Sequence, residues 1–264
     1  MMTERVLMIR KVWFLVASSL LALTWPAAAR EALPEGLVYL RAIDASIVQD
    51  MRYAGADNFV GRRLPGYGAG ECVLRREVAS ALRKVQAELA KSNLSLKVYD
   101  CYRPRRAVAA MARWAQESSP GGAAADPSKR FYPALEKRTL FAYGYIAAQS
   151  AHSTGTAIDL TLVQLPAAPA AAFDAAARYG ACTGPAVQRA PDNSLDMGTG
   201  FDCFDTRSHT ASSAISAEQK RARATLLTAM RKHGFKNYFR EWWHFTYSVP
   251  DARSYDFPIG PRGR

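Results

Sequence analysis

Four histidines occur in the chain, and two of them stand where chemistry could be done. The first lies in Ser150-Ala151-His152-Ser153-Thr154-Gly155-Thr156-Ala157-Ile158-Asp159. A His on a loop, a Gly turn and an Asp entering an apolar strand can converge on one point, and an imidazole nitrogen with a carboxylate oxygen suits Zn²⁺. A core His followed by a turn Asp would show the same spacing, so this cluster needs a second to give it meaning. That second cluster is Glu241-Trp242-Trp243-His244, a carboxylate three residues before a histidine, flanked by large rings. In a regular strand Glu241 and His244 would face opposite sides, so serving one site requires a bend or a strand end. Together His152, Asp159 and His244 offer three metal ligands and leave a fourth position for water, the pattern of a catalytic zinc. Glu241 is left over as a general base. HExxH, G-x-S-x-G and S-x-x-K motifs are absent from the sequence. His233 falls in the last turn of a predicted helix, where positive charge is favourable, and His209 lies in a polar loop.

These residues must be held by recognisable elements. Val78, Leu82, Val85 and Leu89 recur at helical spacing and predict an amphipathic helix over about 75–91. Leu94, Leu96 and Val98 alternate with Ser95, Lys97 and Tyr99, which reads as a half-buried strand closed by Arg103-Pro104. Pro104 suits the first turn of a helix running to about Gln116, and 118–127 is a loop of small residues. A strand is expected over 155–163, then an Ala/Pro-rich insertion over 165–194. Ser216 and Gln219 form a capping box opening a helix that Gly234 stops, and 238–247 is aromatic and β-prone. Helices and strands mix without regular βαβ spacing, so the expected class is α+β: a single domain with a mainly antiparallel central sheet flanked by helices.

Composition narrows the setting. With 264 residues, 49% hydrophobic and 22% charged, the chain is neither disordered nor fibrous. Arg5, Arg10 and Lys11 precede an uncharged apolar run over 12–25 and the small residues Ala27-Ala28-Ala29. This reads as a signal peptide over 1–29, removed on export, leaving a catalytic domain over 30–264 and no membrane span. An exported chain places Cys72, Cys101, Cys182 and Cys203 in an oxidising compartment, a bacterial periplasm by this reading, where an even set favours disulfides. The net charge of +12 is spread along the sequence without a nucleic-acid motif, so no nucleic-acid partner is expected.

The motifs S-x-H-x-x-G-x-A-x-D and E-W-W-H resemble those of the zinc D-alanyl-D-alanine dipeptidases of the VanX type, within the hedgehog-like zinc D,D-peptidases. Met51-Arg52-Tyr53-Ala54-Gly55-Ala56-Asp57-Asn58-Phe59-Val60-Gly61, Tyr102-Arg103-Pro104, Met197-Gly198-Thr199-Gly200-Phe201-Asp202 and Tyr255-Asp256-Phe257-Pro258 extend the resemblance over about 43–258. It implies the hedgehog-like zinc peptidase fold, one zinc on His152, Asp159 and His244, Glu241 as base and Arg103 as oxyanion stabiliser. It further implies Asp202 against a substrate ammonium, Ser150 as a substrate contact and Tyr53 as a pocket wall. The implied substrate is a small dipeptide, D-alanyl-D-alanine, cleaved in cell-wall precursor turnover or D-alanine salvage, with no protein partner required. A D,D-carboxypeptidase or peptidoglycan endopeptidase is the alternative within the group, and a non-catalytic peptidoglycan-binding module the alternative outside it. The insertion at 165–194 and the Cys203 that follows Asp202 depart from the compact members. A Cys182–Cys203 bridge would then brace the Asp202 loop, with Cys72–Cys101 as the second bridge.

Overall fold

Two apolar segments, Leu94–Asp100 and Ala157–Gln164, carry the β-branched and aromatic content of central strands and pair antiparallel. The computed structural model in which they are seen describes residues 32–117, 128–169 and 171–262. The expected signal peptide at 1–29 and the loop at 118–127 lie outside the described residues. In chain order the elements are β1 (Leu37–Tyr39), α1 (Leu40–Ile43), β2 (Val48–Gln49), β3 (Val73–Arg75), α2 (Arg76–Ala90) and β4 (Leu94–Asp100). They continue with α3 (Arg105–Gln116), α4 (Ser128–Phe131), β5 (Ala157–Gln164), α5 (Ala217–Lys232), β6 (Phe235–Asn237) and β7 (His244–Tyr247). The main sheet has the order β2-β4-β5-β7-β6; β2 runs parallel to β4 and every other neighbour is antiparallel. β1 and β3 form a separate antiparallel pair. The architecture is the α+β arrangement that the sequence predicts.

The two long helices follow their sequence signals. α2 buries Val78, Leu82, Val85 and Leu89, the residues whose spacing predicts it. α5 opens on Ser216, whose side chain accepts from the Gln219 backbone while Gln219 reaches back, and it ends against Gly234 at φ +91°. His233 caps that end and meets Glu88 Oε2 at 2.9 Å, so it joins α5 to α2. Leu82, Leu226 and Met230 pack with Leu96, Val98, Ile158, Leu160 and Phe245 of the sheet in one core. A second core of Tyr53, Phe59, Tyr67, Tyr102, Met111, Trp114 and Phe204 lies beneath the pocket described below.

One expectation about the sheet needs correction. β4 is buried along both faces, not half-buried: Ser95, Lys97 and Tyr99 are as enclosed as Leu96 and Val98. The polar positions are covered because each finds a partner. Ser95 receives a bond from Gln86 of α2 at 2.8 Å, and Lys97 and Tyr99 both reach Asp192 in the 165–194 segment. Lys97 can be buried because Asp192 meets its charge, with Asp50 Oδ2 3.6 Å away as a second carboxylate. Two disulfides close the loops, Cys72–Cys101 and Cys182–Cys203, with Cα separations of 5.3 and 5.5 Å. The second ties the 165–194 segment to the residue after Asp202.

Candidate active site

His152 is presented by a short 3-10 helix, Ala151–Thr154, that the sequence ends decisively. Ser150 caps its start, accepting from the His152 N–H at 3.3 Å, and Gly155 leaves it at φ +73°. A side chain at Gly155 would also strike Leu37 at 2.8 Å, so both conformation and space require glycine there. The ring is then oriented from behind: Nδ1 lies 2.7 Å from the Cys101 carbonyl. Nδ1 must donate to that oxygen, which leaves the lone pair on Nε2 pointing away from it.

Asp159 and His244 sit directly opposite one another across the β5–β7 pairing. Glu241 lies in a turn just before β7, closed by His244 N–H to the Glu241 carbonyl at 3.2 Å. This is the bend that the E-W-W-H spacing demands, and it puts Glu241 Oε2 3.8 Å from His244 Nδ1. Trp242 and Trp243 are buried behind the turn, and Trp242 Nε1 donates to Thr199 at 2.8 Å.

The three donor atoms form a compact face. His152 Nε2 lies 3.3 Å from Asp159 Oδ1 and 3.2 Å from His244 Nδ1, and Asp159 Oδ1 lies 3.0 Å from His244 Nδ1. A tetrahedral metal with arms of about 2.0–2.1 Å has ligand–ligand edges of about 3.3 Å, so these nitrogens and this oxygen have the separations one small divalent ion requires. Among the described residues this is the one cluster of His, Cys, Asp or Glu that could hold a metal ion. Burial works against ionising Asp159, but the two imidazoles outweigh it and hold the carboxyl well below its ordinary range.

Arg103 enters from the end of β4. Its Nε and Nη2 grip Asp100 Oδ2 at 2.9 and 2.8 Å, and its guanidinium lies over the Tyr53 ring at 4.9 Å. Its backbone N–H donates to the His152 carbonyl at 3.1 Å, so the arginine and the histidine are positioned as one unit. Asp202 also lines the pocket, buried, with the Tyr53 hydroxyl donating to it at 2.7 Å. Burial, reinforced by Asp159, pushes the Asp202 carboxyl well above its ordinary range. Burial and the same neighbour push Glu241 up to about 8.

Comparison with known proteins decides what this arrangement belongs to. A family model described as D-ala-D-ala dipeptidase matches residues 34–172 and 171–259. A D-alanyl-D-alanine dipeptidase of Enterococcus faecium is 34% identical over 226 residues, spanning 85% of this chain and 98% of its own length. One from Streptomyces coelicolor is 33% identical over 213 residues, 80% of this chain and 91% of its own. One from Escherichia coli is 31% identical over 219 residues, 83% and 87% respectively.

The chain belongs to the D-ala-D-ala dipeptidase family. It is a peptidase, and its two stretches of similarity to the family meet inside the segment read as an insertion.

In this family member all eight residues singled out by sequence line one pocket of about 270 Å³: Tyr53, Arg103, Ser150, His152, Asp159, Asp202, Glu241 and His244. That volume lies at the lower edge of small-molecule sites, which suits a ligand of dipeptide size. Ser150 reaches the pocket while also capping His152. Phe59, Met111 and Phe204 supply apolar lining, and Tyr145, which stacks on Phe204 at 5.1 Å, and Tyr238 add further rings.

Asp100 and Tyr67 are absent from the sequence reading. Asp100 is fully buried, accepts from Tyr67 at 2.6 Å as well as from Arg103, and lies 3.4 Å from His152 Nδ1. The available signal was an acidic residue closing an apolar strand three residues before Arg103. His209 and His233 stand outside the pocket.

Proposed function

We propose that this chain is an exported zinc dipeptidase that hydrolyses D-alanyl-D-alanine to two D-alanines. The observation carrying this reading is that one small pocket joins two chemistries. It is lined both by the metal-fitting face of His152, Asp159 and His244 and by a buried carboxylate, Asp202, that stands outside that face. A substrate with a free ammonium can satisfy that carboxylate, and a chain acylated at nitrogen would leave it buried without a counter-charge.

Zinc, when bound, supplies a Lewis acid that polarises the scissile carbonyl and makes hydroxide available near neutral pH. The protein's own groups do the rest. Asp202 accepts hydrogen bonds from the substrate ammonium, with Tyr53 holding the carboxylate in place. Arg103, fixed by Asp100 on its Nε and Nη2 and 3.7 Å from Asp159 through Nη2, sets its guanidinium beside the developing oxyanion and keeps its charge throughout. Glu241 removes a proton from the attacking water and delivers it to the leaving nitrogen, so water adds across the C–N bond and the carboxylate is regenerated. The large rings of Trp242 and Trp243 are buried behind Glu241, which keeps its surroundings poor in competing water.

Residues 1–29 serve in this reading as the signal peptide of a catalytic domain over 30–264. The two disulfides and the absence of free cysteine among the described residues support an oxidising destination such as the periplasm. No helix among the described residues is long and apolar enough to cross a membrane. The test is turnover of D-Ala-D-Ala by purified protein, with and without a chelator, beside an N-acylated tripeptide. Chelator-sensitive release of D-alanine from the dipeptide alone is expected. Preferential cleavage of the acylated tripeptide would replace this reading with that of a carboxypeptidase.

A further inference from the structure

Asp202 adopts φ +55°, a left-handed conformation that a non-glycine residue keeps only where its surroundings fix it. Both of its chain neighbours are tied to the same distant segment. Cys203 is bonded to Cys182, within 165–194. Phe201 stacks on Tyr99 with ring centroids 4.5 Å apart and an 18° interplanar angle, and the Tyr99 hydroxyl donates to Asp192, also within 165–194, at 2.6 Å. Asp192 reaches the third component as well. Its Oδ1 lies 3.5 Å from Nη2 of Arg52, whose guanidinium covers the Tyr99 ring at 5.1 Å. Arg52 immediately precedes Tyr53, the donor to Asp202. The side chain of Asp192 is buried enough for Arg52 and Lys97 to hold it ionised, its carboxyl kept low against the cost of burial.

We propose that residues 165–194 form a specificity clamp in which Asp192 is a positioning residue, aligning Asp202 and Tyr53 for the substrate ammonium. This rests on the dipeptidase reading and deepens it: the segment that departs from the compact relatives braces the carboxylate that would receive the substrate's free amino end. Asp192 touches no substrate. It acts through two routes, Tyr99 to Phe201 and Arg52 to Tyr53, while the Cys182–Cys203 bridge fixes the far side of Asp202. A segment serving only to cover β4 would need Lys97 neutralised, but it would not need its carboxylate on the Tyr99 hydroxyl.

The experiment is a double-mutant cycle on the zinc-loaded full chain with Asp192→Asn and Asp202→Asn, repeated with Tyr99→Phe in place of Asp192→Asn. Tyr99→Phe keeps the stacked ring and leaves the Arg52 and Lys97 ion pairs with Asp192 in place, so it stays informative if Asp192→Asn folds poorly. Either single change is expected to raise KM for D-Ala-D-Ala about tenfold, with kcat within about twofold and weaker discrimination against N-acetyl-D-Ala-D-Ala. In the Asp202→Asn background neither change should raise KM further. Unchanged KM, or effects that multiply with those of Asp202→Asn, would overturn the clamp. Denaturant unfolding of the four proteins in each cycle supplies a readout without substrate: non-additive midpoints support the clamp and additive ones refute it. Absence of wild-type turnover would instead remove the dipeptidase reading, with the unfolding cycle still deciding whether Asp192 is coupled to Asp202.

Discussion

Asp202→Asn isolates the charge of one buried carboxylate in the pocket while keeping its shape. The carboxylate is buried, the Tyr53 hydroxyl donates to it at 2.7 Å, and burial pushes its proton affinity up. An arriving ammonium about 4 Å away, centre to centre, interacts with it by about 4 kcal/mol at an effective dielectric constant of about 20. Breaking a buried pair by removing one partner costs a similar 3–5 kcal/mol or so. Because the ammonium is present before and during bond cleavage, the loss is uniform: KM for D-Ala-D-Ala should rise by about three orders of magnitude, with kcat close to wild type. The wild-type protein should reject N-acetyl-D-Ala-D-Ala by a comparable factor, and the Asn variant should lose most of that discrimination. Steady-state kinetics on both substrates, with zinc content verified, measures all four numbers. If Asp202→Asn left KM within about threefold and the acetyl discrimination intact, the carboxylate would not read the amine and the dipeptidase account of the pocket would fail.

Glu241→Gln should retain zinc and bind the dipeptide while kcat falls by roughly 10²–10⁴, as loss of a general base requires; unchanged kcat would move the base elsewhere. His152→Ala should lose stoichiometric zinc by elemental analysis together with activity, and full retention of zinc would refute its place as a ligand. Arg103→Lys keeps a charge but not the fork that grips Asp100 through Nε and Nη2, so kcat should drop about 10²–10³. Thiol titration of the denatured, non-reduced protein should be blank, and replacing Cys182 and Cys203 by serine should cost about 2–5 kcal/mol in denaturant unfolding.

Local signals were legible in the sequence and long-range pairings were not. The 3.6-residue recurrence of Val78, Leu82, Val85 and Leu89 defines α2, and Ser216 with Gln219 places the start of α5, because each rests on neighbours in the chain. The site residues were legible as types at fixed spacing. What joins them was not: Asp159 faces both His244 on β7 and Asp100 on β4 through strand register, which no local pattern encodes. The burial of Lys97 was hidden for the same reason, since its partner Asp192 lies 95 positions away. Asp100 escaped notice because a single acidic residue at a strand end is unremarkable until Tyr67, Arg103 and His152 are seen to surround it.

Asp100 also explains how so acidic a pocket keeps its parts in order. Four carboxylates, Asp100, Asp159, Asp202 and Glu241, gather around a single guanidinium, that of Arg103. Each is set apart by what faces it. Asp100 is taken up by Arg103 and Tyr67, so it anchors without competing for substrate. Asp159 faces two imidazoles and is held ionised, the state in which a carboxylate can hold a metal ion. Asp202 and Glu241 also feel Arg103, but burial and Asp159 outweigh it and raise both, so each is poised to take up a proton or to be met by an arriving cation. Exchanging the environments would exchange the roles, since the four side chains carry the same functional group. The division of labour is therefore written in the partners: the Cys101 carbonyl that turns His152, the turn that brings Glu241 beside His244, and the strand end that gives Asp100 to Arg103.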